Sequence, residues 1–216
     1  MVRQGLRLFI PSYMQCAPPG EGSRSFPSFF LLILLLILGL GSVLFPPESA
    51  GQKSDREGLS RFDRLAEEAT LLNTRGKYDE VISLLEPHKA DKKNDSALFF
   101  NELAVAYRNR NKLDNAIQAY QKALSLDREN PVIMKNLADA FYLKKEYSRA
   151  VEMAQKALTS NPRFHQAHST LGLAYYRLER YREALDEFED VLRLNPQDEQ
   201  AQNFRAAARK KLQEKK

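Results

Sequence analysis

Histidines, a cysteine and paired acids are the residues of this chain that could do chemistry, and they are few. The sequence has three histidines and one cysteine. His165 and His168 form an HxxH pair, which would put two imidazoles on one helix face and suits a shared metal ion. Such a site needs a third ligand, and none adjoins the pair in sequence. His88 stands alone. Asp186/Glu187 and Glu189/Asp190 alternate with apolar residues and read as the solvated face of a helix. Cys16, being single, excludes an intrachain disulfide and any cysteine-based zinc site. No glycine-rich phosphate loop or nucleophile elbow occurs. The expectation is no catalytic residue, no metal and no cofactor.

The elements that would position side chains are written more strongly. Residues 97–130, 131–164 and 165–198 form three ungapped blocks of 34 residues. Small residues return as Ala104, Ala138 and Gly172, as Ala116, Ala150 and Ala184, and as Ala123, Ala157 and Val191. Leucines return as Leu103, Leu137 and Leu171 and as Leu124, Leu158 and Leu192. Aromatics return as Tyr107, Phe141 and Tyr175, and the bend between the two halves of each block carries Leu113, Tyr147 and Tyr181. Within a block the apolar residues fall three and four apart, as one face of a helix requires. Asn161-Pro162 and Asn195-Pro196 break the helix between blocks. A period of this length held in register means stacked helical hairpins, not one closed core.

At these residues the chain resembles the tetratricopeptide-repeat (TPR) family, whose pattern is a large residue, leucine with a small residue, an aromatic, alanines around a second aromatic, and a closing proline. The last block reads His168, Leu171-Gly172, Tyr175, Ala184, Phe188, Val191, Pro196. The middle block reads Met134, Leu137-Ala138, Phe141, Ala150, Ala154, Ala157, Pro162. The first reads Phe100, Leu103-Ala104, Tyr107, Ala116, Tyr120, Ala123, with Arg128 in place of proline. A weaker block, 62–96, precedes them, with Leu65, Ala69 and Leu72 on one helix face, a bend at Gly76-Lys77-Tyr78, and Pro87 cutting its second helix. Residues 199–216 carry a narrow stripe of Ala201, Phe204, Ala208 and Leu212 that would cover the last hairpin. The expected fold is all-α, a right-handed TPR solenoid of about four hairpins with a C-terminal capping helix, behind one apolar N-terminal helix.

The resemblance implies a binding groove lined by the first helix of each hairpin. Carried over, the groove residues are Asn101, Val105, Arg108 and Asn109, with Leu98; then Lys135, Asp139 and Tyr142, with Val132 and Leu143; then Gln166, Ser169, Leu173, Tyr176 and Arg177. Thr70 and Asn73 would extend its floor. Asn101, Asn109 and Gln166 could bond a peptide backbone, the tyrosines offer area with a polar tip, and Arg108, Lys135 and Arg177 would prefer acidic groups. Co-chaperone members of the family clamp a C-terminal carboxylate with a set of lysines, asparagines and an arginine. The matching positions hold Asn101, Val105, Asn136, Gln166 and Thr170, of which only Asn136 fits, so no chaperone-tail clamp is expected.

The flanks set the setting. Residues 1–28 are basic and rich in proline and glycine, which leaves no packed element. Phe29–Phe45 is an uncharged run of 17 residues, near the lower limit for crossing a bilayer. It reads as a signal anchor first and as a cleaved signal peptide second. Residues 46–61 read as a polar linker. Basic residues flank the run on both sides, and the order basic, apolar, small-polar is that of an export signal. The repeats are therefore expected on the extracytoplasmic, periplasmic side of a membrane, tethered or released by cleavage, with cytosolic repeats behind the anchor as the opposite orientation. A net charge of +5 with acids and bases interleaved gives no basic stripe for nucleic acid. The function expected is a non-catalytic scaffold for a protein or peptide partner, with self-association as the alternative.

Overall fold

The computed structural model describes residues 59–214. The expected segments 1–28, 29–45 and nearly all of 46–61 lie outside them. Among the described residues there are nine α-helices and no strand, and no helix is long and apolar enough to cross a membrane. The helices are α1 (Arg61–Thr74), α2 (Tyr78–Leu85), α3 (Ala97–Asn109), α4 (Leu113–Leu126), α5 (Pro131–Leu143), α6 (Tyr147–Ser160), α7 (His165–Arg177), α8 (Tyr181–Leu194) and α9 (Glu199–Glu214). A short 3-10 turn, Glu86–His88, follows α2.

Four of the nine described helix starts carry a side-chain cap. Ser60 accepts from the Asp63 amide and Ser96 from that of Phe99. Asn130 accepts from Val132 and Ile133 ahead of Pro131, whose missing amide hydrogen costs nothing in the first turn. Asp198 caps α9 through the amide of Ala201.

The hairpin bends share one device. Gly76, Asn111, Lys145 and Glu179 have φ of 73°, 59°, 66° and 59°. The next residue's amide then donates to a carbonyl five back: Lys77 to Leu72, Lys112 to Tyr107, Glu146 to Phe141 and Arg180 to Tyr175. This left-handed closure satisfies the last carbonyls of the first helix and turns the chain into the second. Glycine adopts it freely; lysine does so at a cost of roughly 1–2 kcal/mol. Lys145 is exposed, so Lys145→Gly is expected to stabilise the fold by about 0.5–1 kcal/mol, after the greater flexibility of unfolded glycine is counted. An unchanged or lower denaturant midpoint would show that this bend is unstrained.

Helices pair as α1/α2, α3/α4, α5/α6 and α7/α8, and each second helix also packs on the first helix of the next hairpin. The recurring alanines sit at these approaches. Ala104, Ala138, Ala116, Ala150, Ala184, Ala123 and Ala157 are fully buried, and a larger side chain there would push the helices apart. Leu103, Leu137 and Leu171 are buried beside Phe99, Tyr120, Phe141 and Phe188. α2 has 8 residues where the later second helices have 14, because the amide that proline lacks is needed in a helix interior. Against the last hairpin, α9 buries Ala201 and Ala208 and stacks Phe204 on Phe188, with ring centroids 5.6 Å apart. Leu212 is only half-buried.

Candidate functional site

The first helices α1, α3, α5 and α7 lie side by side. Their contacts are made by polar residues that recur with the repeat. Glu102, Asn136 and Thr170 hold one register, each immediately before a core leucine, and all are buried. Each bonds back to the preceding first helix. Asn73 Nδ2 donates to Glu102 Oε2 at 2.8 Å and to the Glu102 carbonyl at 3.0 Å. Asn136 Nδ2 donates to Asn101 Oδ1 at 3.2 Å, and Asn101 Nδ2 donates to Glu102 Oε1 at 2.9 Å. Thr170 Oγ1 donates to Asp139 Oδ1 at 2.7 Å. A polar ladder thus ties four helices edge to edge.

A second set of bonds completes it. Asp139 Oδ2 receives Arg108 Nη1 at 3.2 Å and Lys135 Nζ at 3.3 Å. Arg177 Nε donates to the Tyr142 hydroxyl at 3.1 Å, and that bond raises the guanidinium's already high pKa. Asn109 Nδ2 turns back to the Val105 carbonyl of its own helix. Beneath the ladder the Tyr120 hydroxyl is buried without a partner, and burial pushes its pKa up.

These contacts change the roles expected of several groove residues. Asn101 is buried and its amide is engaged within the chain, so it presents no free amide to a partner backbone, whereas the exposed Asn109 spends one N–H on its own helix. Arg108 and Lys135 share one carboxylate, so the positive charge expected for acidic ligands is neutralised in place. Gln166 and Arg177 are exposed, while Ser169, Leu173, Tyr142 and Tyr176 are half-buried. Tyr176 packs edge-on against Phe204 of α9, with centroids 5.7 Å apart, so the capping helix borders this end of the groove. Glu102 is the residue that sequence reading missed. Its signal was a polar residue recurring 34 places apart with Asn136 and Thr170, which an eye set for apolar periodicity passes over.

The same faces also leave large apolar side chains open. Leu98 is 41% exposed, Val132 49% and Leu143 51%. By spacings of three and four, Leu98 shares the α3 face of Asn101, Val105 and Arg108, and Val132 that of Lys135 and Asp139 on α5. The groove is a neutralised polar ladder bordered by exposed and half-buried hydrophobes.

The histidine pair resolves differently from its spacing. His168 turns from His165 towards α8, with Nδ1 2.7 Å from Glu187 Oε2 and 3.9 Å from Asp190 Oδ2. Its Nε2 lies 3.1 Å from the Pro162 carbonyl. Glu187 holds the imidazole pKa above its usual range against the opposing effect of burial, and the Pro162 carbonyl adds to the rise. Glu187 and Asp190, expected as solvated acids, instead face a neighbouring helix.

Comparison with known proteins adds the family. Residues 109–191 match the family described as anaphase-promoting complex, cyclosome, subunit 3. The structure of the first TPR of Spaghetti (RPAP3) bound to the HSP90 peptide SRMEEVD is 30% identical, with a TM-score of 0.54 over 56% of this chain and 95% of that one. The first TPR domain of human RPAP3 is 31% identical, with a TM-score of 0.54 over 55% of this chain and 94% of that one. The chain belongs to the TPR family. MamA AMB-1 shares the fold at 22% identity, with a TM-score of 0.63 over 68% of this chain and 87% of that one. No curated protein sequence matches the chain significantly. TPR arrays are in general scaffolds for protein–protein interaction, and this chain's described residues form an all-helical array with the TPR fold.

Proposed function

We propose that this TPR protein is a membrane-tethered adaptor that holds a segment of a partner protein in the groove of its first helices, in the assembly of a membrane or envelope complex. The observation that carries the reading is the exposure of Leu98, Val132 and Leu143 on first helices whose polar residues are already bonded to one another. Large apolar side chains kept in water on a face built by repetition give a partner area to bury at about 25 cal/mol per Å². The tether is Phe29–Phe45, whose uncharged apolar character supports an anchor, and the export-like order of residues around it supports an extracytoplasmic array.

The groove's chemistry favours an apolar or amphipathic segment over an acidic tail. The HSP90 peptide in the RPAP3 structure, SRMEEVD, has three acidic residues among its last four. Here Val105 and Thr170 occupy clamp positions, Thr170 is bonded to Asp139, and the cations Arg108 and Lys135 are paired. An acidic terminus would have to displace Asp139 to reach them.

The test is a capture from native membranes with the full chain as bait, beside a variant carrying Leu98→Ser, Val132→Ser and Leu143→Ser. These positions are exposed, so the fold should survive the changes. Loss of a partner by at least about tenfold in the variant is expected. Retention of the same partners by both baits would show that the groove is not the binding surface. Capture of nothing but further copies of the chain, by both baits alike, would favour self-assembly.

A further inference from the structure

We infer that His168, Glu187 and Asp190 form a binding site for a first-row divalent metal ion of the zinc type, bridging α7 and α8. Their candidate ligand atoms all lie within 4.8 Å of one another. Sequence reading expected no metal because it looked for a third ligand near the HxxH pair. The ligands instead come from the second helix of the same hairpin, 19 and 22 positions later, where Glu187 and Asp190 stand one turn apart on one face.

The bonding of His168 points to a cation. When Nε2–H donates to the Pro162 carbonyl, the neutral imidazole carries its lone pair on Nδ1. That lone pair faces two carboxylates. Arg193 already offsets Asp190, and between Nδ1 and Glu187 Oε2 stands either a proton on Nδ1 or a metal ion in its place. A backbone carbonyl fixing the far nitrogen is also how metal-bound histidines are commonly oriented.

Two of the three ligand spacings fit after small movements, and the third, between the carboxylates, lies within 4.8 Å. A tetrahedral ion with bonds of about 2.0–2.1 Å holds its ligands roughly 3.3 Å apart. Nδ1 and Oε2 are at 2.7 Å and Nδ1 and Oδ2 at 3.9 Å, so one pair opens and the other closes by about half an ångström. An imidazole with two carboxylates suits zinc and its first-row neighbours better than magnesium or calcium. A cavity of about 350 Å³ lined by Pro162, Arg163, His168, Asp190, Arg193 and Leu194 opens beside the cluster and leaves room for a water ligand. Arg193 pairs with Asp190 and is largely exposed, so it can swing away when the carboxylate turns to the ion. Binding releases the Nδ1 proton to solvent, which balances the exchange.

The repeat supplies a substitution that should not disturb the fold. His168 occupies the register of Phe100 and Met134, and Met134 is accommodated in the preceding hairpin, so His168→Met removes the ligand and keeps a packing residue. The experiment titrates zinc chloride alone into the untagged, metal-free full chain by calorimetry and follows thermal unfolding with and without the ion. The expected result is one ion per chain and a raised melting temperature. Both should be lost in His168→Met, and Glu187→Gln should bind at least tenfold more weakly. His165→Ala should bind as the native chain does. No saturable uptake by the native chain, uptake unchanged in His168→Met, or uptake lost in His165→Ala would each overturn the assignment. Circular dichroism that matches the native spectrum keeps the His168→Met result interpretable.

Discussion

Replacing Phe188 by alanine is expected to destabilise the C-terminal hairpin by about 3–5 kcal/mol. Phe188 is 1% exposed, lies face to face with Phe204 at 5.6 Å, and presses on Gly172 of the facing helix. The contact with Gly172 is tight in one direction. A Cβ added there would stand 2.9 Å from Phe188 Cε1 and 3.0 Å from Cζ. Gly172→Ala alone is therefore expected to cost about 1–2 kcal/mol, because the strain exceeds the gain of roughly 1 kcal/mol from replacing a helical glycine. The double variant should be less destabilised than the sum of the two single ones. With the ring gone the clash is gone, and alanine facing alanine is what the preceding hairpin has at this register in Ala138 and Ala154. The measurement is a double-mutant cycle by chemical denaturation. Because a solenoid can unfold from its ends, the loss should appear as an early transition confined to α7–α9. Strict additivity would mean that the ring and the glycine do not define each other.

Removing the charge of Asp139 is expected to have the next largest effect. Asp139→Asn leaves Arg108 and Lys135, with side chains 20% and 18% exposed, facing each other without a counter-charge. The Thr170 hydroxyl keeps an acceptor, so the change isolates the electrostatic part. A loss of about 2 kcal/mol follows from stranding partly buried cations, with allowance for their contact with water. Adding Arg108→Leu should restore much of it. The same substitution makes the groove more cationic, so an acidic peptide should gain affinity relative to the native chain. Unchanged stability in Asp139→Asn would show that the ladder's charges are solvated and contribute nothing.

Sequence alone determined the helical hairpins, their 34-residue period and the placement of small residues at helix approaches. The physical reason is that these are local or repetitive properties. Apolar spacing of three and four defines a helix face, a proline or left-handed residue ends it, and an alanine returning in register marks where backbones must come close. The shortened second helix ahead of Pro87 was legible for the same reason.

What only the tertiary structure decided lies between helices. Asn101, Arg108 and Lys135 looked like ligand-facing groups because their partners, Glu102 with Asn136 and Asp139, stand on the same or an adjacent first helix. Spacing brings Lys135 to Asp139 and Asn101 to Glu102 on one helix, but only the packing of neighbouring first helices brings Arg108 to Asp139 and Asn136 to Asn101. His168 was read beside His165, one turn away, yet it turns across the hairpin to Glu187 and Asp190, which sequence placed in solvent. Leu98, Val132 and Leu143 carry the reverse lesson. The family resemblance placed them on the groove face although they are apolar by type, and the packing of neighbouring first helices leaves them in water. Residue type fixes what a side chain prefers, but the neighbours that satisfy or deny the preference are set by helices far apart in the chain.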